Sequence, residues 1–136
     1  MRVVAVVVGL VLLVTSCSVT RTGEARTGER RDALFTIDDE QVRVEAGMFF
    51  AIAVDDNASV GDMWSVSEEP DPDVVDARGD HYESESDEDV VGGGGTRFFE
   101  FQALREGTTS LELRNCFRGC ADPDDDHRYR IDVEVS

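Results

Sequence analysis

From Leu34 to the C-terminus the apolar residues recur at every second position rather than every third or fourth, and that spacing constrains the fold more than any other feature. Successive side chains of a strand point to opposite faces, so a period of two buries one face and wets the other. Residues 129–135 are the clearest case: Tyr129, Ile131, Val133 and Val135 alternate with Arg130, Asp132 and Glu134. Residues 96–104 (TRFFEFQAL) repeat the pattern, with Phe99, Phe101 and Ala103 expected inward and Glu100 and Gln102 toward water. Residues 48–54 (MFFAIAV) read as a deeply buried strand with Phe50, Ile52 and Val54 on one face. Trp64 with Val66, and Leu111 with Leu113, mark two more, with Trp64 expected in the core. Weaker signals at 41–45 and 81–85 bring the total to about seven strands. No stretch combines helical spacing with caps. The expectation is therefore all-β: an immunoglobulin-like antiparallel β-sandwich.

The chain's beginning is different in kind. Residues 1–16 hold one basic residue, Arg2, then an apolar stretch over 3–14 and small residues, which is the layout of an export signal. Val14-Thr15-Ser16-Cys17 resembles the lipobox of bacterial lipoproteins, where the signal is cut before a cysteine that is then acylated. The expected organisation is a lipoprotein signal peptide over 1–16, a flexible tether over 17–33, and a folded domain over 34–136. The protein would be exported and held by lipid on Cys17 at the outer face of the bacterial cell membrane, with no other membrane contact. An ordinary secretory signal with an incidental cysteine is the alternative. The tether is polar and rich in Thr, Gly and Arg, without apolar periodicity.

An exported address also bears on Cys116 and Cys120, in NCFRGC, which are expected to form one local disulfide. A zinc site would need more ligands than this neighbourhood supplies, and neither His81 nor His127 sits at ligand spacing, so no metal and no cofactor are expected. The acidic runs 84–89 (SESDED) and 122–126 (DPDDD) lack the ligand spacing of a calcium-binding loop; solvated acidic loops are the expectation and calcium the alternative. The formal charge of −17, from 30 acidic residues against 13 arginines, argues against nucleic acid, which needs a concentrated positive surface. It suits a hydrated monomer. No Ser, Thr or Cys has a recognisable base and orienter, so the chain is not expected to be an enzyme.

Three irregular segments remain, 55–62, 89–96 and 115–127. In a sandwich of this order they join strands B to C, D to E and F to G, and can form one continuous surface at one end. Four consecutive glycines, Gly92 to Gly95, cost about 0.5–1 kcal/mol each to order relative to alanine, so either close backbone approach to a partner or a bulged turn requires them.

Asn57-Ala58-Ser59-Val60-Gly61-Asp62-Met63-Trp64 resembles the first-loop pattern Asn-Pro-Thr-Thr-Gly-aromatic-x-Trp of the chagasin-like inhibitors of papain-type cysteine proteases. A second glycine-rich segment leading to Thr-x-x-Phe-x-Phe-x-Ala is matched by Gly92 to Thr96 with Phe99, Phe101 and Ala103, and a Gly turn with Leu-x-Leu by Gly107, Leu111 and Leu113. The order and spacing hold from about residue 42 to 135. Ala58, Ser59 and Val60 replace the proline and threonines, Asp62 stands where an aromatic is usual, and Cys116-Phe117-Arg118-Gly119-Cys120 replaces an Arg-Pro-Trp segment.

The resemblance implies a reversible, competitive inhibitor that inserts the 57–61 loop into a papain-like protease's cleft, flanked by the 92–95 and 116–120 loops. The contacts would come from Asn57, Ala58, Ser59, Val60, Gly61, Gly93 and Gly94, with Phe117 and Arg118 as an aromatic and arginine anchor held out by the disulfide. Asn57 has a second available role, capping its own turn. Asp62 must stay hydrated or find a partner. The rival expectation is a non-inhibitory immunoglobulin-like envelope lipoprotein that binds or scaffolds another surface component.

Overall fold

The structure, a computed structural model, describes residues 31–85 and 92–136. The expected signal, Cys17 and the tether as far as residue 30 lie outside the described residues, as does the acidic run from 86 onward.

Eight strands are present among the described residues: β1 (Ala33–Thr36), β2 (Gln41–Val44), β3 (Phe49–Asp56), β4 (Trp64–Glu68), β5 (Val75–Ser84), β6 (Gly95–Ala103), β7 (Gly107–Cys116) and β8 (Asp126–Val135). They form two four-stranded sheets, ordered β1-β3-β6-β5 and β2-β8-β7-β4. The pairs β3–β6, β5–β6, β4–β7 and β7–β8 are antiparallel, as expected. The outer pairs β1–β3 and β2–β8 are parallel, because consecutive strands β1 and β2 leave one another for the edges of opposite sheets. The turn between them is closed by Asp39, whose Oδ2 accepts from the Thr36 amide at 2.8 Å.

Strand β1 was not apparent from the periodicity, since four residues (ALFT) hold too little alternation to read. Before it, Arg31 and Asp32 are already engaged; the Phe49 amide donates to Asp32 Oδ2 at 2.9 Å. Strand β5 is twice the length of the segment expected at 81–85 and bulges between Ala77 and Gly79. It is an exposed edge strand, so neither of its faces carries the apolar stripe that makes a strand legible.

The inward positions read from the alternation are the core. Phe50, Ile52, Val54, Phe99, Phe101, Ala103, Leu111, Leu113, Ile131, Val133 and Val135 are all buried, with Val42 and Val44 from β2. Phe50 and Phe101 stack with ring centroids 5.4 Å apart, and Phe35 meets Phe50 edge-on at 6.2 Å. Trp64 is half-buried against this core, with Nε1 donating to the Asp55 carbonyl at 3.0 Å and its ring 5.6 Å from Tyr129.

One face departs from the simple alternation. Phe98 points away from the core yet is buried, because the Arg31 guanidinium lies 4.0 Å from its ring and the His81 ring stacks on it at 5.0 Å. Glu100, expected in water, is half-buried beneath this cover and pairs with Arg31 at 3.7 Å and His81 at 3.3 Å.

Register decides where the connections fall. Asp56 and Ser84 both pair with Gly95, so the β3–β4 and β5–β6 connections emerge at the same end of one sheet. On the facing sheet Trp64 pairs with Asn115, and Cys116 with Asp126, which brings the β7–β8 connection there too.

Candidate interaction surface

Loop 1 spans 57–63 and loop 3 spans 117–125; loop 2 denotes the described residues of the β5–β6 connection, 85 and 92–94. Loop 1 is organised by two of its own side chains. The Asn57 carboxamide oxygen accepts from the Ser59 amide at 3.1 Å, and the Asn57 carbonyl accepts from Val60 at 3.1 Å. Turn capping is thus what the Asn57 side chain does in the free protein. The Asp62 carboxylate closes the loop from the other side: Oδ2 accepts from the Asn57 amide at 2.9 Å and Oδ1 from Asn115 Nδ2 at 2.9 Å. Asn115 is buried at the end of β7, and its carboxamide oxygen accepts from the Met63 amide at 3.0 Å. Asp62 has therefore found a partner inside the fold, and loop 1 is clamped at its base by a residue of the neighbouring strand.

Loop 1 touches both of its neighbours. Toward loop 2, Ser59 Oγ lies 3.1 Å from the Gly92 carbonyl. Gly94 packs on Asn57, whose Nδ2 would be 3.4 Å from a Cβ added there, and Gly93 is half-buried. Gly95 meets a tighter limit, since a Cβ would stand 2.2 Å from the Glu83 carbonyl oxygen and 2.6 Å from the Tyr82 ring. Close backbone approach explains this glycine, and the approach is to the chain's own β5.

Toward loop 3, the Arg118 amide donates to the Gly61 carbonyl at 2.8 Å and the Cys116 amide to the Met63 carbonyl at 3.0 Å. Gly61 has φ +118°, and a Cβ on it would lie 2.6 Å from Arg118 Cγ. Loop 1 thus lies between the glycines of loop 2 and Arg118 of loop 3, in contact with both.

The exposure of the expected contact residues is uneven. Ala58, Ser59, Val60 and Arg118 are exposed, while Gly61 is half-buried against loop 3. Cys116 and Cys120 are disulfide-bonded, as expected. Phe117 is half-buried, 5.0 Å below the Arg118 guanidinium, so arginine and not the aromatic forms the outer surface of this loop. Two side chains not among the expected contacts are also exposed here: Met63 is 56% exposed and Tyr82 42%.

Buried charge supports the loops from below. Asp56, 3% exposed, accepts from Arg97 Nε at 2.7 Å, and Arg97 also pairs with Asp80. Burial opposes the Arg97 charge, but hydrogen bonds to Asp56 and Asp80 outweigh it and raise its affinity for the proton above the usual arginine value. Beneath loop 3, Arg114 binds Asp126 at 2.7 and 3.1 Å. That hydrogen bond leads the causes that hold the Asp126 carboxyl below its ordinary range, with Arg128 adding to it. Within the DPDDD run, Asp122 caps a short 3-10 turn by accepting from the Asp124 amide at 3.2 Å.

Asn115 carried a readable signal that the apolar pattern passed over: it continues the inward parity of Leu111 and Leu113 as a polar residue. An inward polar side chain must find partners, and here they are Asp62 and Met63. Asn115→Ala should leave that amide and one carboxylate lobe unpaired. We expect a stability loss of about 1–2 kcal/mol and faster hydrogen exchange at Met63, both measurable by denaturation and exchange NMR. Unchanged Met63 exchange would refute the clamp.

A model of the chagasin family, described as peptidase inhibitor I42, matches residues 43–133. Among solved structures the fold is similar to amebosin, at 18% identity and a TM-score of 0.60 over 76% of this chain and 97% of that one. It is similar to the cysteine protease inhibitor EhICP2 from Entamoeba histolytica, at 18% identity and TM-score 0.59, covering 76% and 96%. PbICP-C, solved in complex with falcipain-2, aligns at 11% identity and TM-score 0.54, covering 79% and 92%. At these identities the likeness is one of fold. No curated protein sequence matches the chain.

Proposed function

Because the chain belongs to the chagasin family of peptidase inhibitors, we propose that it inhibits papain-like cysteine proteases reversibly and competitively, loop 1 entering the active-site cleft with loops 2 and 3 on its flanks. The observation that carries this reading is that loop 1 touches both neighbouring connections: Ser59 reaches Gly92, and Gly61 is bonded to Arg118. PbICP-C, a relative by fold, is itself known in complex with falcipain-2, which supports the same class of partner.

The tip has the chemistry the task requires. A papain-type cleft is a long groove with a thiolate on one wall, and Ala58, Ser59, Val60 and Gly61 are small and uncharged enough to enter it. The internal bonds of Asn57 and Asp62 hold the tip in one shape, so little conformational freedom is lost on docking. The same rigidity keeps peptide carbonyls out of near-attack geometry, so the loop blocks the groove without being cut. The Asp62 carboxylate is engaged internally and presents no unpaired charge to the cleft. Gly93 and Gly94 allow close backbone approach on one side, and exposed Arg118 over Phe117 offers an anchor on the other.

The test is a titration of the purified protein against papain and a cathepsin-L-type enzyme, each activated and then freed of reductant. We expect KM to rise with kcat unchanged, and activity to return on dilution. Full activity of several such enzymes at micromolar protein would reject inhibition and favour a non-inhibitory envelope module.

A further inference from the structure

Loop 3 is held in a shape that its own residues disfavour. Arg118 and Cys120 have φ of 49° and 51°, a left-handed backbone that side chains with a Cβ seldom adopt unless their surroundings impose it. Two restraints impose it here: the Cys116–Cys120 disulfide, whose Cα atoms are 5.0 Å apart, and the Arg118 amide bonded to the Gly61 carbonyl. The two restraints act on one short ring, since Arg118 lies between the bonded cysteines.

We propose that the Cys116–Cys120 disulfide is a thiol-responsive site that sets the shape of the protease-facing surface. Its reduction opens loop 3, releases Arg118 from Gly61 and weakens binding. Only the last step rests on the inhibitory reading above.

The exchange needs a small thiol as reductant. One thiolate attacks Cys116 Sγ; the S–S bond breaks, and its electron pair leaves on Cys120 Sγ. A second thiolate then displaces the first from Cys116 as an external disulfide. The two protein sulfurs take up two protons, and two electrons have passed to the protein. Arg114 directs the first step, since its Nη2 lies 3.4 Å from Cys120 Sγ and stabilises negative charge on that sulfur as it leaves. Cys116 and Cys120 are themselves half-buried rather than enclosed, with Arg118 and Gly119 between them exposed, so a small thiol has a route to the bond.

The rest of the clamp does not pass through the ring. Asp62 and Asn115 remain bonded, and the β7–β8 ladder runs to Cys116 and Asp126. Reduction is therefore a local event. A papain-type enzyme needs its own thiol reduced, so the thiols that activate the target also slacken the inhibitor, and inhibition is tightest where the surroundings are oxidising.

The test uses the full chain carrying Cys17→Ser, so that only this pair responds. On reduction with dithiothreitol the Arg118 amide should exchange with solvent at least about tenfold faster, while core amides of β3 and β6 stay protected. Against activated papain freed of reductant, the Cys116→Ser/Cys120→Ser variant should have an inhibition constant about tenfold above that of the oxidised protein. Unchanged protection of Arg118 overturns the proposal, as does equal inhibition by the two forms. Loosening of Arg118 with no inhibition by either form upholds the thiol-responsive site and rejects the inhibitory reading instead.

Discussion

Gly61→Ala is expected to weaken inhibition of a papain-type protease by about ten- to a hundredfold while the core melts close to its original temperature. The added Cβ would stand 2.6 Å from Arg118 Cγ and 3.2 Å from the Arg118 amide nitrogen, on a backbone with φ +118°. Holding an L-residue in such a conformation costs about 1–3 kcal/mol, and each 1.4 kcal/mol corresponds to about a tenfold change in affinity. Loop 1 lies outside the core, so it relaxes rather than carrying that strain. Relaxation breaks the Arg118–Gly61 bond and leaves the loop to be reordered on docking. Inhibition constants measured beside thermal melts will separate the two effects. An unaltered constant would mean that the protease does not read the shape of this loop.

Gly95→Ala is expected to act on the fold itself. Here the obstruction is backbone: the Cβ would meet the Glu83 carbonyl oxygen at 2.2 Å, with Tyr82 ring atoms at 2.6 Å. The exposed Tyr82 side chain can turn aside, but the carbonyl cannot move without parting β5 from β6, where Ser84 pairs with Gly95. Overpacking of this kind costs about 1–3 kcal/mol, which for a domain of this size lowers the melting temperature by about 4–18 °C. Gly94→Ala is the control, since its Cβ would meet Asn57 at an ordinary 3.4 Å. Equal melting of the two variants would show that β5 and β6 are not so closely apposed.

The strands that could be read from the chain are those with one buried face. Burial on one side of β3, β6, β7 and β8 writes itself into the sequence as a period of two, and their inward residues are the core. Strand β1 escaped because it is four residues long, and the first half of β5 because an exposed edge strand has no face to write. Glu100 misled for a related reason: its cover comes from Arg31 and His81, which belong to other parts of the chain.

The first-loop pattern around Gly61 and Trp64 was legible because a turn needing positive φ and an aromatic against the core both demand particular residue types. The clamp was not. Asp62 and Asn115 are 53 positions apart, and nothing local marks them as partners.

By itself the sequence determined the all-β class, the faces that pack inward, the family pattern and the local disulfide, because each depends on spacing within a few residues. Only the tertiary structure decided that three connections share one end, that Asp62 is held by Asn115, and that Arg118 bonds Gly61. Those contacts follow from the register of strands distant in sequence, and register is settled by the packing of both sheets at once rather than by any single segment.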